Sequence, residues 1–119
     1  MKKILIVDDE PDILAALSWV LHSKYIVVTE RDGRKVIQLV SKGNFDLLIV
    51  DLLMPNVNGW EIIHAIHKVK PDLPIVAMSV YLDEIEKIKR SNGEGISAFL
   101  QKPFDHEEVE EMVKRILKG

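Results

Sequence analysis

Four short apolar runs in this chain each stop at a residue able to do chemistry, and amphipathic stretches separate them. The runs are Ile4–Val7, Leu47–Val50, Pro74–Met78 and Ile96–Leu100. Asp8 and Asp9, Asp51, Ser79 and, one residue beyond Gln101, Lys102 follow them. Such alternation is the pattern of β-α units built on a parallel sheet. In an open parallel sheet, ligands bind outside the carboxyl ends of the strands. Neighbouring strands would therefore bring three carboxylates, a hydroxyl and an ammonium to one rim, a set suited to a divalent cation and a phosphoryl group.

The bulk properties agree with one globular unit. The chain has 119 residues, 47% of them hydrophobic and 29% charged, enough for a single core over residues 1–119. A net charge of −3 supplies no basic field for direct binding of nucleic acid. No apolar run approaches the ~18 residues of a membrane span, so no membrane role is expected. The first run is cut at Asp8, too early for a signal sequence. The absence of cysteine excludes disulfides and thiolate metal sites and fits a cytoplasmic location.

Periodicity and punctuation place the elements. Strands are expected over about residues 3–8, 25–29, 45–50, 75–78 and 96–101. The first helix starts near Pro11, with Ile13, Leu14, Leu17, Val20 and Leu21 as its apolar stripe. The second carries Val36, Ile37, Leu39 and Val40 and stops at Lys42-Gly43. The third runs from about Asn58 to Val69, with Ile62, Ile63, Ile66 and Val69 inward and Pro71 ending it. A fourth, about Leu82 to Ser91, has only the thin stripe Leu82, Ile85 and Ile88, which implies low local stability. The fifth opens at Asp105, with Glu108 placed for a capping box and Val109, Met112, Val113, Ile116 and Leu117 inward. The first, third and fourth strands are apolar on both faces, as central parallel strands are. The fifth alternates, with Ile96, Ala98 and Leu100 on one side and Ser97, Phe99 and Gln101 on the other, and reads as an edge. Right-handed crossovers then give a doubly wound, five-stranded α/β sandwich.

The acids need an explanation. Two unit charges ~5 Å apart at an effective dielectric of ~20 repel by roughly 3 kcal/mol. Asp8, Asp9 and Asp51 together call for a cation, a raised pKa or wide separation. Mg²⁺ suits them, because it takes a few carboxylate oxygens and keeps waters that a phosphate can replace. The plainer reading, that Asp9 or Glu10 merely caps the first helix, does for Glu10 but leaves Asp51 unexplained. Asp51 can act as a nucleophile toward phosphorus. Lys102, before Pro103, sits where the chain must turn, and would offset the charge that a transferred phosphoryl group brings. Ser79 alone is weak, since serine ends many strands.

These residues, in this order, resemble the receiver domain of two-component response regulators. The matching pieces are Ile4 to Glu10, Leu48 to Pro55, Asn58-Gly59, Ser79, and Phe99 to Phe104, spread over the whole chain. The resemblance implies a flavodoxin-like (βα)5 fold of strand order 2-1-3-4-5. It implies that Asp51 accepts a phosphoryl group and that Asp8, Asp9, Asp51 and the backbone carbonyl of Leu53 hold Mg²⁺. It further implies that Ser79 and Lys102 bind the phosphoryl group, that the Lys102–Pro103 peptide is cis, and that Ser79 and Phe99 form the switch. The implied donor is a sensor histidine kinase or a histidine phosphotransfer protein. The implied output is an effector domain or downstream protein met by the face of the fourth helix, fifth strand and fifth helix, where a homodimer could also form. The chain would then be no turnover enzyme, with self-phosphorylation and autodephosphorylation as its only chemistry.

Several features stand apart from this pattern. Val80 replaces the small residue usual after the Ser/Thr, and is expected to narrow access to Asp51. Asn58 stands where relatives commonly carry Asp, and can still cap the third helix. Trp19 lies roughly opposite the stripe of the first helix, where a partly buried indole is favoured slightly over an exposed docking anchor. Phe99, an aromatic on the polar side of an edge strand, is expected to be a switch residue or to lie buried under the fourth helix, and both hold if it moves between two states. The histidines at 22, 64, 67 and 106 suggest no site. Two other functions remain open: a Mg²⁺-dependent aspartyl phosphohydrolase, although its usual Asp-x-Asp after the first strand and a cap segment are missing, and a degenerate, unphosphorylated binding module.

Overall fold

A computed structural model describes residues 1–81, 83 and 95–118. The helix expected over about Leu82 to Ser91 lies outside the described residues.

Five parallel strands form one sheet: β1 Lys3–Val7, β2 Ile26–Glu30, β3 Leu47–Asp51, β4 Ile75–Ser79 and β5 Ala98–Gln101. Their order is β2-β1-β3-β4-β5, so the strands that read as apolar on both faces are the central three and β5 is an edge. Helices α1 Pro11–Leu21, α2 Val36–Lys42, α3 Gly59–Val69 and α4 His106–Ile116 cover the sheet. This is the doubly wound order expected.

The period of two along each strand divides the core into two layers. Leu5, Val7, Leu48, Val50, Ile75 and Ala77 meet Val36 and Val40 of α2 and Ile62, Ile63 and Ile66 of α3. Ile4, Ile6, Leu47, Ile49, Val76, Met78 and Leu100 meet Leu14, Leu17 and Leu21 of α1 and Val109, Met112 and Val113 of α4. Burying a side chain of this size contributes ~1.5–3 kcal/mol, so the central strands fix the register of everything that follows them.

The structure corrects some boundaries and faces. Ile96 precedes β5 and packs on the α2/α3 layer, opposite Ala98 and Leu100, because the pleat begins only at Ala98. Val69, expected to point inward, is 45% exposed in the last turn of α3, and Ile37 is exposed beside buried Val36. Trp19 is 71% exposed rather than partly buried. Leu17 and Leu21 bind α1 to the sheet, which turns position 19 to the opposite side, and the indole tilts against His22 at 5.8 Å between ring centroids.

The segment after β3 is shaped by its turn and its glycine. Leu53 and Met54 pair antiparallel with Asn58 and Val57 around Pro55-Asn56. Asn56 takes φ 63°, a left-handed conformation that Asn tolerates better than most residues. Asn58 Oδ1 accepts from the N–H of Trp60 at 2.9 Å and of Glu61 at 3.4 Å, and so caps α3 as its type suggests. Gly59 leaves no room for a side chain: an added Cβ would lie 2.5 Å from the carbonyl oxygen and 2.8 Å from the Cα of Leu52. Backbone there cannot give way cheaply. Gly59→Ala is expected to cost about 1–3 kcal/mol by forced repacking, read as a lower urea midpoint; an unchanged midpoint would mean that the residues after Asp51 shift freely.

Candidate functional site

Among the described residues, the buried polar or charged side chains are Asp8, Asp51, Ser79 and Lys102. All four stand at the carboxyl ends of strands. β1 ends at Val7, so Asp8 is the first residue beyond it; its N–H donates to the carbonyl of Glu30 at 3.2 Å. Asp51 is the last residue of β3 and pairs in register with Met78. Ser79 is the last residue of β4 and pairs with Gln101. The N–H of Lys102 continues that ladder to the carbonyl of Ser79 at 2.8 Å, and the Lys102–Pro103 peptide is cis.

The charges meet at the ammonium of Lys102. Its Nζ lies 2.6 Å from Asp8 Oδ2 and 2.9 Å from Asp51 Oδ2, with the lysine side chain 6% exposed. Glu10 Oε1 is 3.6 Å away. Each aspartate spends its second oxygen on the main chain: Asp8 Oδ1 accepts from the N–H of Glu10 at 2.9 Å, and Asp51 Oδ1 from the N–H of Leu53 at 3.0 Å. Carboxylates this buried persist only where paired and hydrogen-bonded.

One ammonium does not balance the acids. Asp8, Asp9, Glu10 and Asp51 each offer a carboxylate oxygen, and these atoms lie within 4.8 Å of one another. Hard oxygen donors at that spacing, with Asp8 and Asp51 buried and Asp9 and Glu10 reaching solvent, fit Mg²⁺. A groove of about 360 Å³ opens beside Asp9, bounded by Glu30 to Arg34 and by Met54 to Asn56. The imbalance shows in the proton affinities. Burial pushes the Asp51 carboxyl above its usual range, with the charge of Asp8 adding to it, against the N–H of Leu53 and the ammonium of Lys102. Burial pulls the other way on Lys102, yet the hydrogen bonds and charges of Asp8 and Asp51 hold its ammonium above the ordinary lysine value.

Asp8, Asp9, Asp51 and Lys102 are thus brought together as their spacing suggests. Ser79 is at the rim but its hydroxyl is engaged locally: Oγ accepts from the N–H of Tyr81 at 3.0 Å and donates to the carbonyl of Tyr81 at 3.4 Å. Leu53 is 44% exposed, beside the site. Phe99 is half-buried and packs on the α2/α3 layer, so the side that alternation marked as polar is apolar at this position. Val80 is exposed. The sequence marked Glu10 only as a helix cap and left Tyr81 without a role. Glu10 is the N-cap of α1, yet its side chain makes no capping hydrogen bond and joins the acids instead. Tyr81 holds Ser79 through its main chain, which no side-chain pattern announces.

The raised carboxyl has a consequence for stability. A group whose folded pKa lies above its unfolded value stabilises fully below the unfolded value, here 3.8, and that contribution is lost as pH rises through the folded value. Asn at position 51 keeps one oxygen, for the N–H of Leu53 or the ammonium of Lys102, and removes the charge. In chelator, wild type is expected to lose stability relative to Asp51→Asn as pH rises above 3.8. Thermal midpoints of the two proteins across that range are the check, and parallel curves would contradict it.

The sequence matches the family of the response regulator receiver domain over residues 4–114. It is 32% identical over 118 residues to the alkaline phosphatase synthesis transcriptional regulatory protein PhoP of Bacillus subtilis, covering 98% of this chain and 49% of that protein. It is 34% identical over 119 residues to the response regulator ArlR of Staphylococcus aureus, covering 99% of this chain and 53% of that protein. The chain therefore spans about half the length of these relatives. Among solved structures, the chemotaxis response regulator CheY4 of Vibrio cholerae superposes with a TM-score of 0.87 at 31% identity, over 98% of this chain and 99% of that one. The response regulator TrrA of Thermotoga maritima, solved in complex with Mg²⁺-BeF, gives 0.87 at 32% identity over 98% and 100%.

Proposed function

The chain belongs to the response regulator receiver domain family, and from that premise we propose that residues 1–119 act as one receiver domain whose Asp51 accepts a phosphoryl group. What carries the reading is that the buried polar side chains among the described residues are Asp8, Asp51, Ser79 and Lys102, gathered at one rim. A nonfunctional core would hold apolar groups there at lower cost.

In the proposed reaction an oxygen of Asp51 bonds to phosphorus as the bond from phosphorus to the donor breaks, and the donor leaves with the electron pair. The donor is a histidine kinase or histidine phosphotransfer protein, losing the phosphoryl group from an imidazole nitrogen. Asp8, Asp9, Asp51 and the Leu53 carbonyl would hold Mg²⁺, whose charge offsets that of the carboxylates and of the transferred group. Lys102, already held 2.9 Å from Asp51 Oδ2, supplies a second cation for the phosphoryl oxygens. Ser79 is the hydroxyl donor at the same rim; to reach a phosphoryl oxygen it gives up its hydrogen bonds with Tyr81. Phe99, whose register partner Ala77 lies two residues before Ser79, follows as the second part of the switch. The face carrying β5 and α4 then meets an effector domain, a downstream protein or a second copy of the chain. Phosphorylation of Asp51 and hydrolysis of the resulting acyl phosphate, which releases inorganic phosphate and restores the carboxylate, are the whole chemistry, performed on the chain itself, in the cytoplasm.

The test is incorporation from a small acyl phosphate. Wild type with Mg²⁺ is expected to gain one phosphoryl group by intact mass, Asp51→Asn none, and wild type in chelator little or none. Lys102→Ala is expected to slow incorporation by about 10²–10³-fold, the loss found when a preorganised charge-stabilising group is removed. Undiminished labelling of Asp51→Asn would defeat the proposal.

A further inference from the structure

Lys102 has three N–H donors and no acceptor. Two of them are taken by Asp8 and Asp51, the two buried carboxylates among the described residues. When a cation takes those same oxygens, the ammonium is left beside a like charge. The remaining carboxylate within ion-pair range among the described residues is Glu10, at 3.6 Å. We propose that Glu10 is a positioning residue that keeps the ammonium of Lys102 at the rim once Asp8 and Asp51 are committed to a cation. The inference rests on the cation site read above.

The local structure frees Glu10 for this. It is the N-cap of α1, but its side chain makes no capping hydrogen bond to the first turn. Its backbone is satisfied without help from its side chain: its N–H donates to Asp8 Oδ1, and its carbonyl accepts from Ile13 and Leu14 at 3.2 and 3.3 Å. A glutamate is also one methylene longer than the residues that cap well. The extra reach brings Oε1 from the helix entry to the lysine that follows β5, across the rim. The carboxylate is 59% exposed and Asp8 fully buried, so the ion pair with Glu10 is cheap to form and cheap to leave. An ammonium that must later meet a phosphoryl oxygen is better held by such a partner than by a buried one.

The test reads Lys102 directly. In ¹⁵N-lysine-labelled protein the ammonium signal of Lys102, identified by its loss in Lys102→Met, is expected to persist on saturation with Mg²⁺. In Glu10→Gln it should be seen without Mg²⁺ and broaden or vanish with it. A signal equally sharp in Glu10→Gln with Mg²⁺ would overturn the proposal. Calorimetry with Mg²⁺ alone gives the second readout. Glu10→Gln should weaken binding about three- to fivefold, the scale of one partly exposed ion pair, and should weaken it less in a Lys102→Met background. An equal or larger loss in that background would mean that Glu10 acts on the cation itself, and the proposal falls. Absence of Mg²⁺ binding to wild type would instead defeat the cation site on which it rests.

Discussion

The ammonium of Lys102 keeps the rim together. Without it, Asp8 and Asp51 would be two buried negative charges on adjacent strands, each having lost its water. With it, each carboxylate has one oxygen on a cation and the other on a main-chain N–H. The arrangement still carries more negative than positive charge, and this is what distinguishes it from a structural ion pair. A structural pair ends in neutrality; this one leaves room for further positive charge.

The sheet makes that meeting possible. β3 lies between β1 and β4, so Asp8 and Asp51 end neighbouring strands, and β5 brings Lys102 in from the far side of β4. The two apolar layers lock the register, since a slip by one residue would exchange the contents of the faces. Burial at positions such as Leu5, Leu48 and Ile75 therefore acts at a distance on the chemistry. It decides which side chains emerge at the strand ends.

Much of this was legible in the sequence because the strands that position the site are also the most apolar. β1, β3 and β4 need no context to be recognised, and the acids at the ends of β1 and β3 stand out against that background. Legibility fell where an outcome depended on neighbours rather than on period. The pleat of β5 begins after Ile96, so simple alternation assigned that residue to the wrong layer. Val69 and Ile37 follow helical spacing but sit where the sheet no longer covers them. Glu10 reads as a cap by position, and only the missing hydrogen bond shows that its side chain goes elsewhere. The tight approach of Gly59 to Leu52 leaves no trace in hydrophobicity, because it is a contact of backbone with backbone.

The hydroxyl of Ser79 is closed into a ring with the peptide two residues on, both giving and receiving. A side chain so engaged cannot turn without releasing the N–H and the carbonyl of Tyr81. Tyr81 itself has an exposed aromatic ring. The serine therefore ties the buried rim to a residue whose ring stands at the surface, so a rotation of its hydroxyl would be felt first in the main chain of Tyr81.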